Sequence, residues 1–265
     1  MVSIRETLNY HKMDRRLYET VLKMGRLPAL ARNIVALWMW LELMGIDVIH
    51  YIKDISDPSL LLNFIKEAET ILNIIRQASP LPLGNDELVS LPFMAGFATE
   101  PINLRFFYCH SDVVVRGLTY MLDGVGTLIF NDHLFHMLNV YERALSVAHQ
   151  QGTRPPVIPE ELASKYNSRV TTSPEDYRAL FVTFSKRCTL TREEIAQYFN
   201  ERMGQCVERV MLERTAMGVS PMYGRIVFVS EALNEILLSG ERTVKFMING
   251  NEVWGRKYIP RIRRA

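Results

Sequence analysis

Leu180-Phe181-Val182-Thr183-Phe184-Ser185 and Pro221-Met222-Tyr223-Gly224-Arg225-Ile226-Val227-Phe228 read as two short strands. Side chains of an extended chain alternate between faces, so Leu180, Val182 and Phe184 point one way while Phe181 and Thr183 point the other. In the second run Gly224, Ile226 and Phe228 share the inner face, and Tyr223, Arg225 and Val227 share the outer one. Each run therefore sets one aromatic ring opposite its apolar face, where a nucleobase could stack.

The residues around these runs supply a consistent frame. Thr191-Arg192-Glu193-Glu194 reads as a capping box, with Leu190 and Ile195 placed to close a hydrophobic staple over the helix start. Ile195, Phe199 and Met203 recur at helical spacing, and Gly204 ends the helix. Residues 207–213 alternate Val210 and Leu212 with Arg209 and Met211, as a strand does, and residues 216–221 have the composition of a loop. Ser230 is a candidate cap for a second helix presenting Leu233, Ile236 and Leu237, which Gly240 stops. Residues 243–259 contain Asn249-Gly250, a dipeptide suited to a tight hairpin. The expected order is β-α-β-β-α-β.

That order, with these residues, resembles the RNA recognition motif (RRM) family over residues 177–259. Phe181 falls on the aromatic position of the family's first-strand motif and Tyr223 on the leading aromatic position of its third-strand motif; Gly224, Ile226 and Phe228 also match. The chain departs from the pattern at Pro221 and Met222, where a basic residue and glycine are usual, at Arg225, which replaces the second stacking aromatic, and at Phe184, which replaces an asparagine. The resemblance implies a ferredoxin-like sandwich in which Phe181 and Tyr223 stack the bases of single-stranded RNA and Arg225 assists through its flat guanidinium. The whole chain also resembles a plant family that joins a helical amino-terminal region to one divergent carboxy-terminal RRM. This wider likeness rests on Met13-Asp14-Arg15-Arg16-Leu17-Tyr18, the block from Ile34 to Leu43 with Trp38 and Trp40, Leu104-Arg105-Phe106-Phe107 and Val253-Trp254-Gly255-Arg256-Lys257.

A length of 265 residues fits two domains, and 48% apolar residues with mixed charge indicate a globular chain. The expected fold class is α+β: a mostly helical domain over residues 1–149, a Gly- and Pro-bearing linker over 150–176, and a divergent RRM-like domain with a basic tail over 177–265. Ile34 to Leu41 form the longest apolar run, which continues past Glu42 to Met44 and is too short for a membrane span. Their apolar side chains occupy every side of a helical wheel, which suits a central core helix or one wedged against a partner. Trp38 and Trp40 are the candidate partner contacts in the second case. Further helices are expected from the Asp57-Pro58 start and at residues 113–121 and 132–149.

Residues 1–150 carry 13 Lys/Arg against 16 Asp/Glu, whereas 151–265 carry 18 against 13, so the carboxy-terminal half suits a polyanion partner. Arg209 and Arg225 are expected on the sheet face as phosphate contacts. The tail that starts at Arg256-Lys257 supports three readings: further phosphate contacts, a nuclear import signal, or a solvated end. Cys109, Cys188 and Cys206 form neither a disulfide framework nor a zinc pattern, and the amino terminus lacks a hydrophobic signal segment, which points to the nucleus or cytoplasm. His133 and His136 beside Asp132 do not complete a metal site, and no phosphate-cradling loop, nucleophile elbow or carboxylate dyad is recognisable. The sequence thus suggests a protein without enzymatic activity or cofactor. It either binds single-stranded RNA or uses the sheet, its helices or the helical domain to grip a partner protein or a second copy of itself.

Overall fold

Several helices begin and end where the sequence carries caps and breakers. The computed structural model describes residues 2–55, 57–77, 89–97, 102–167, 173–185, 190–216 and 219–260. The amino-terminal part folds as α1 (Ile4–Tyr10), α2 (Lys12–Lys23), α3 (Pro28–Leu43), α4 (Val48–Ile52), α5 (Pro58–Gln77), α6 (Leu104–Cys109), α7 (Ser111–Asp123), α8 (Gly126–Ile129), α9 (Asp132–Gln151) and α10 (Glu160–Ala163). After it come β1 (Ala179–Phe184), α11 (Arg192–Met203), β2 (Val207–Leu212), β3 (Tyr223–Phe228), α12 (Ala232–Leu238), β4 (Val244–Ile248) and β5 (Asn251–Lys257). The protein is α+β, a helical part followed by one antiparallel sheet in strand order β2-β3-β1-β5-β4.

Local chemistry accounts for these boundaries. The Thr191 hydroxyl accepts the Glu194 N–H at 3.2 Å and the Glu194 carboxylate accepts the Thr191 N–H at 2.8 Å, which is the expected capping box. The Asp57 carboxylate accepts the Ser59 N–H at 2.9 Å where α5 opens on Pro58. The N-cap of α12 is Glu231, not Ser230; Ser230 precedes it, and its hydroxyl accepts the Ala232 N–H at 3.0 Å and donates to Asp123 of α7 at 2.5 Å. Asn249 and Gly250 both take positive φ and turn β4 back onto β5. The last stretch therefore supplies two strands where the expected order has one, because the hairpin turn falls near its middle.

Packing arranges these elements in three layers. The inner face of the sheet, with Leu180, Val182, Ile226, Phe228 and Val253, packs on α11 and α12. Phe199 of α11 meets Phe228 and Phe246 edge to face, with centroids 5.5 and 5.1 Å away, each pair worth about 0.5–1.5 kcal/mol beyond area burial. Helices α3, α5 and α7 cover the far side of α12, so Ala232, Leu233, Asn234, Ile236, Leu237 and Leu238 are all buried. Polar groups are matched across this junction. Buried Asn33 of α3 donates at 3.0 Å to both the Glu235 carbonyl and the Ser239 hydroxyl, and Ser111 donates to the Arg202 carbonyl at 2.8 Å. Burial pushes the Glu235 carboxyl above its ordinary range despite Arg32, 3.2 Å away. One apolar cluster runs without a break through the helical part and the sheet part.

Helix α3 is the central core helix that its all-round apolar character suggests. Trp38 and Trp40 are buried, enclosed by the neighbouring helices α2, α5, α7 and α12, and present no surface to a partner. This corrects the expectation that they serve as partner contacts. The Pro-bearing stretch after α9 is partly docked as well. Leu162 of α10 packs with Leu8, Leu128, Phe135 and Leu138, and the Ile4 N–H donates to the Ser164 carbonyl at 2.8 Å. Residues 168–172 and the tail residues 261–265 lie outside the described residues. Cys206 is buried, which pushes its thiol up to about 12, whereas Cys109 is exposed. Cys188 is outside the described residues. No helix among the described residues is long and apolar enough to cross a membrane.

Two predictions follow from this packing. A Cβ at Gly117 of α7 would lie 2.1 Å from the buried Trp40 ring, so the helix crossing depends on the absence of a side chain there. Gly117→Ala gains about 1 kcal/mol of helix propensity but overpacks a core site at a cost near the top of the usual ~1–3 kcal/mol. The expected net is a lower urea midpoint with an unchanged slope; an equal or higher midpoint removes the close approach as a constraint. Residues 173–265 expressed alone expose the side of α12 that α3, α5 and α7 cover. That fragment should unfold at lower urea than the full chain and bind a hydrophobic dye, and equal stability would show that the helical layer is dispensable.

Candidate nucleic-acid interface

Strand pairing places the outward side chains in rows. Phe181 stands opposite Arg225 of β3 and Arg256 of β5, while Thr183 stands opposite Tyr223 on one side and Trp254 on the other. Strand alternation and register put Met211 and Arg209 of β2, and Lys245 and Met247 of β4, on this same outer face. The helices pack on the opposite face, so their layers leave this one open.

The two aromatic rings read from the sequence lie side by side, with centroids 5.8 Å apart and planes inclined by 21°. Tyr223 is 45% exposed and Phe181 half-buried. The Arg256 guanidinium sits 4.4 Å from the Phe181 ring centroid. A surface cation–π contact of this kind is worth about 0.5–1 kcal/mol, below the ~1–3 kcal/mol of a stacked base, so a base can replace it. A shallow groove of about 470 Å³ runs past Phe181, Tyr223, Arg225 and Tyr258.

Trp254 is the residue that sequence reading passed over as a site. It projects from β5 at 46% exposure, across β1 from Tyr223, with the Lys245 ammonium 5.8 Å from its ring. Two strand spacings separate Tyr223 from Trp254, about 10 Å, which leaves room for a separate base on each. Alternation outward from the Asn249-Gly250 turn was the signal for it: Val253 and Gly255 face in, so Trp254 and Arg256 face out.

The basic candidates have protein partners. Arg225 donates to Asp176 at 2.7 Å and its guanidinium lies 4.1 Å from the Tyr258 ring, while Arg209 pairs with Glu175. Both acids belong to the segment before β1, which buried Arg178 anchors. Its guanidinium donates to the Ser173 carbonyl at 2.8 Å and the Phe228 carbonyl at 2.5 Å, and pairs with Glu208. Lys257 does not join the others. It alternates with Arg256, faces the helix side and reaches Glu231 at 3.5 Å. The structure thus brings together Phe181, Tyr223, Arg225, Arg209 and Arg256 on one face, and sets Lys257 on the other.

Elsewhere, Asp132, next to His133, accepts from buried Arg15 at 2.5 Å, and no cluster of three or more His, Cys, Asp or Glu able to hold a metal ion occurs among the described residues. Comparison of the chain with family models, curated proteins and solved structures finds no match.

Proposed function

We propose that the carboxy-terminal part is a divergent, ferredoxin-like RNA recognition module whose open sheet face binds single-stranded RNA, without catalysis. The observation that carries this reading is the pair of adjacent rings, Phe181 and Tyr223, on the face that the helices leave uncovered. Trp254 extends the platform toward β5, and Arg256 and Lys245 lie where a phosphate backbone passing those rings would run. The strand order supports the same reading: β5 lies beside β1 as the fourth strand of such a module, and β4 is an added edge strand. The ion pairs Arg225–Asp176 and Arg209–Glu175 favour a second reading, in which the face grips a partner protein, because cations already paired offer less to phosphate.

Titration with a randomised single-stranded RNA pool at two salt concentrations separates the readings. Phe181→Ala, Tyr223→Ala and Trp254→Ala should each cost about 1–3 kcal/mol, at least about fivefold in Kd, and added salt should weaken binding further. Weak binding that all three variants share with the wild type supports the protein-partner reading.

The paired acids yield a separate prediction. The Arg225 side chain is part-buried and that of Asp176 more exposed, so a phosphate reaches this guanidinium only in competition with the Asp176 carboxylate. Asp176→Asn should tighten RNA binding by up to about fivefold, whereas Arg225→Ala should weaken it. Unchanged affinity in Asp176→Asn would show that this carboxylate does not compete for the bound strand.

A further inference from the structure

We propose that the helical part contains a second site, a cage for a small organic cation with an apolar body. Where α2, α3, α4 and α7 meet lies a cavity of about 680 Å³, within the ~300–1,000 Å³ of small-molecule sites. Buried Met39, Ile49 and Met121 line it with apolar surface. Tyr10, Tyr120 and Tyr166 also line it, together with the carboxylates of Asp14 and Glu42. Tyr10 and Tyr120 are 84% and 69% exposed, so their rings are not spent on packing the core.

Aromatic faces and carboxylates attract the same kind of ligand. A ring face carries the negative side of its quadrupole, so three tyrosines and two acids at one cavity favour positive charge over an anion. Lys53 keeps its positive charge at the same cavity, so the lining sets two carboxylates against one ammonium and the balance stays negative. The Lys53 ammonium lies 2.9 Å from His50 Nδ1, which makes the histidine its acceptor, and His11 Nδ1 lies 2.6 Å from Asp14, holding that carboxylate in place. Partial desolvation raises the Glu42 carboxyl above its ordinary range although the residue as a whole is exposed, and Asp14 and Asp47 push it further, outweighing His11. A cation entering the cavity relieves this crowding of negative charge, and a neutral molecule does not. None of the lining residues lies on the sheet, so this site is independent of the RNA reading.

The probe is benzyltrimethylammonium, titrated calorimetrically into the full chain, with phenylacetate and benzyl alcohol as anionic and neutral counterparts. Saturable binding of the ammonium alone is expected, weakened about two- to fivefold in Glu42→Gln and in Tyr120→Ala, in line with loss of one exposed ion-pair or cation–π contact. Glu42 and Tyr120 are exposed, and circular dichroism confirms that each variant keeps its fold. Absence of saturable binding, equal binding of phenylacetate, or full affinity in Glu42→Gln overturns the assignment. Binding of a trimethyllysine peptide without binding of the free ammonium overturns it too, in favour of a protein ligand. The RNA titration is read separately, so the failure of either reading leaves the other intact.

Discussion

Burial of α12 on both sides is the constraint from which the rest of the architecture follows. A helix lying on a sheet ordinarily needs one apolar stripe, yet six of its seven residues are buried here, Leu233, Ile236, Leu237 and Leu238 among them. At about 1.5–3 kcal/mol for each large aliphatic side chain taken fully out of water, neither the sheet nor the helical layer can leave α12 without exposing several such groups. The polar contacts at the junction have a different role. Asn33 reaching the Glu235 carbonyl and Ser239 fixes register and angle, and contributes less than the burial that surrounds it.

This arrangement assigns the two faces of the sheet opposite fates. With α11 and α12 on the inner face and the amino-terminal helices stacked behind them, the helical layers are all on one side. The outer face is then free of packing duty toward them; one end of it, with Val227 and Ala179, is buried, and the end with Tyr223 and Trp254 meets solvent. Aromatic and sulfur-bearing side chains remain exposed there all the same, among them Tyr223, Trp254 and Met247. Scattered exposure of single apolar groups is ordinary, so the proposed contact rests on the alignment of Phe181 and Tyr223 across adjacent strands and not on exposure alone.

Much of this was legible in the sequence, for reasons that differ from one element to the next. The capping box at Thr191–Glu194, the Asn249-Gly250 turn and the alternation of β1 and β3 are local signals, each decided by a few neighbouring residues. The side of β3 that Tyr223 occupies could be read for the same reason. The pairing of Arg225 with Asp176 could not, because it depends on how the segment anchored by Arg178 crosses the sheet, a tertiary fact without a local pattern. Trp38 and Trp40 illustrate the opposite difficulty. Apolar surface on every side of a helix says that it is enclosed, but not whether its own chain or a partner encloses it. Trp254 was readable in principle from strand alternation, but treating residues 243–259 as one strand hid its face.

The electrostatics of the outer face bear on how strong any contact there can be. The carboxy-terminal half has an excess of cations, yet Glu175 and Asp176 meet two of its arginines and Glu252 meets Lys245, so the excess is partly cancelled locally. The exposed pairs Arg209–Glu175 and Lys245–Glu252 hold weakly, about 0–1 kcal/mol each, and salt screens them over about 8–10 Å. A polyanion arriving at the face therefore exchanges one set of weak pairs for another and gains little from charge alone. Stacking on the rings, which no carboxylate can imitate, has to supply most of the net affinity. On this balance the aromatic rows outrank the basic residues, and the presence of Arg225 in place of a third ring beside Phe181 and Tyr223 bears more on the strength of any contact there than the modest positive charge of the half that carries it.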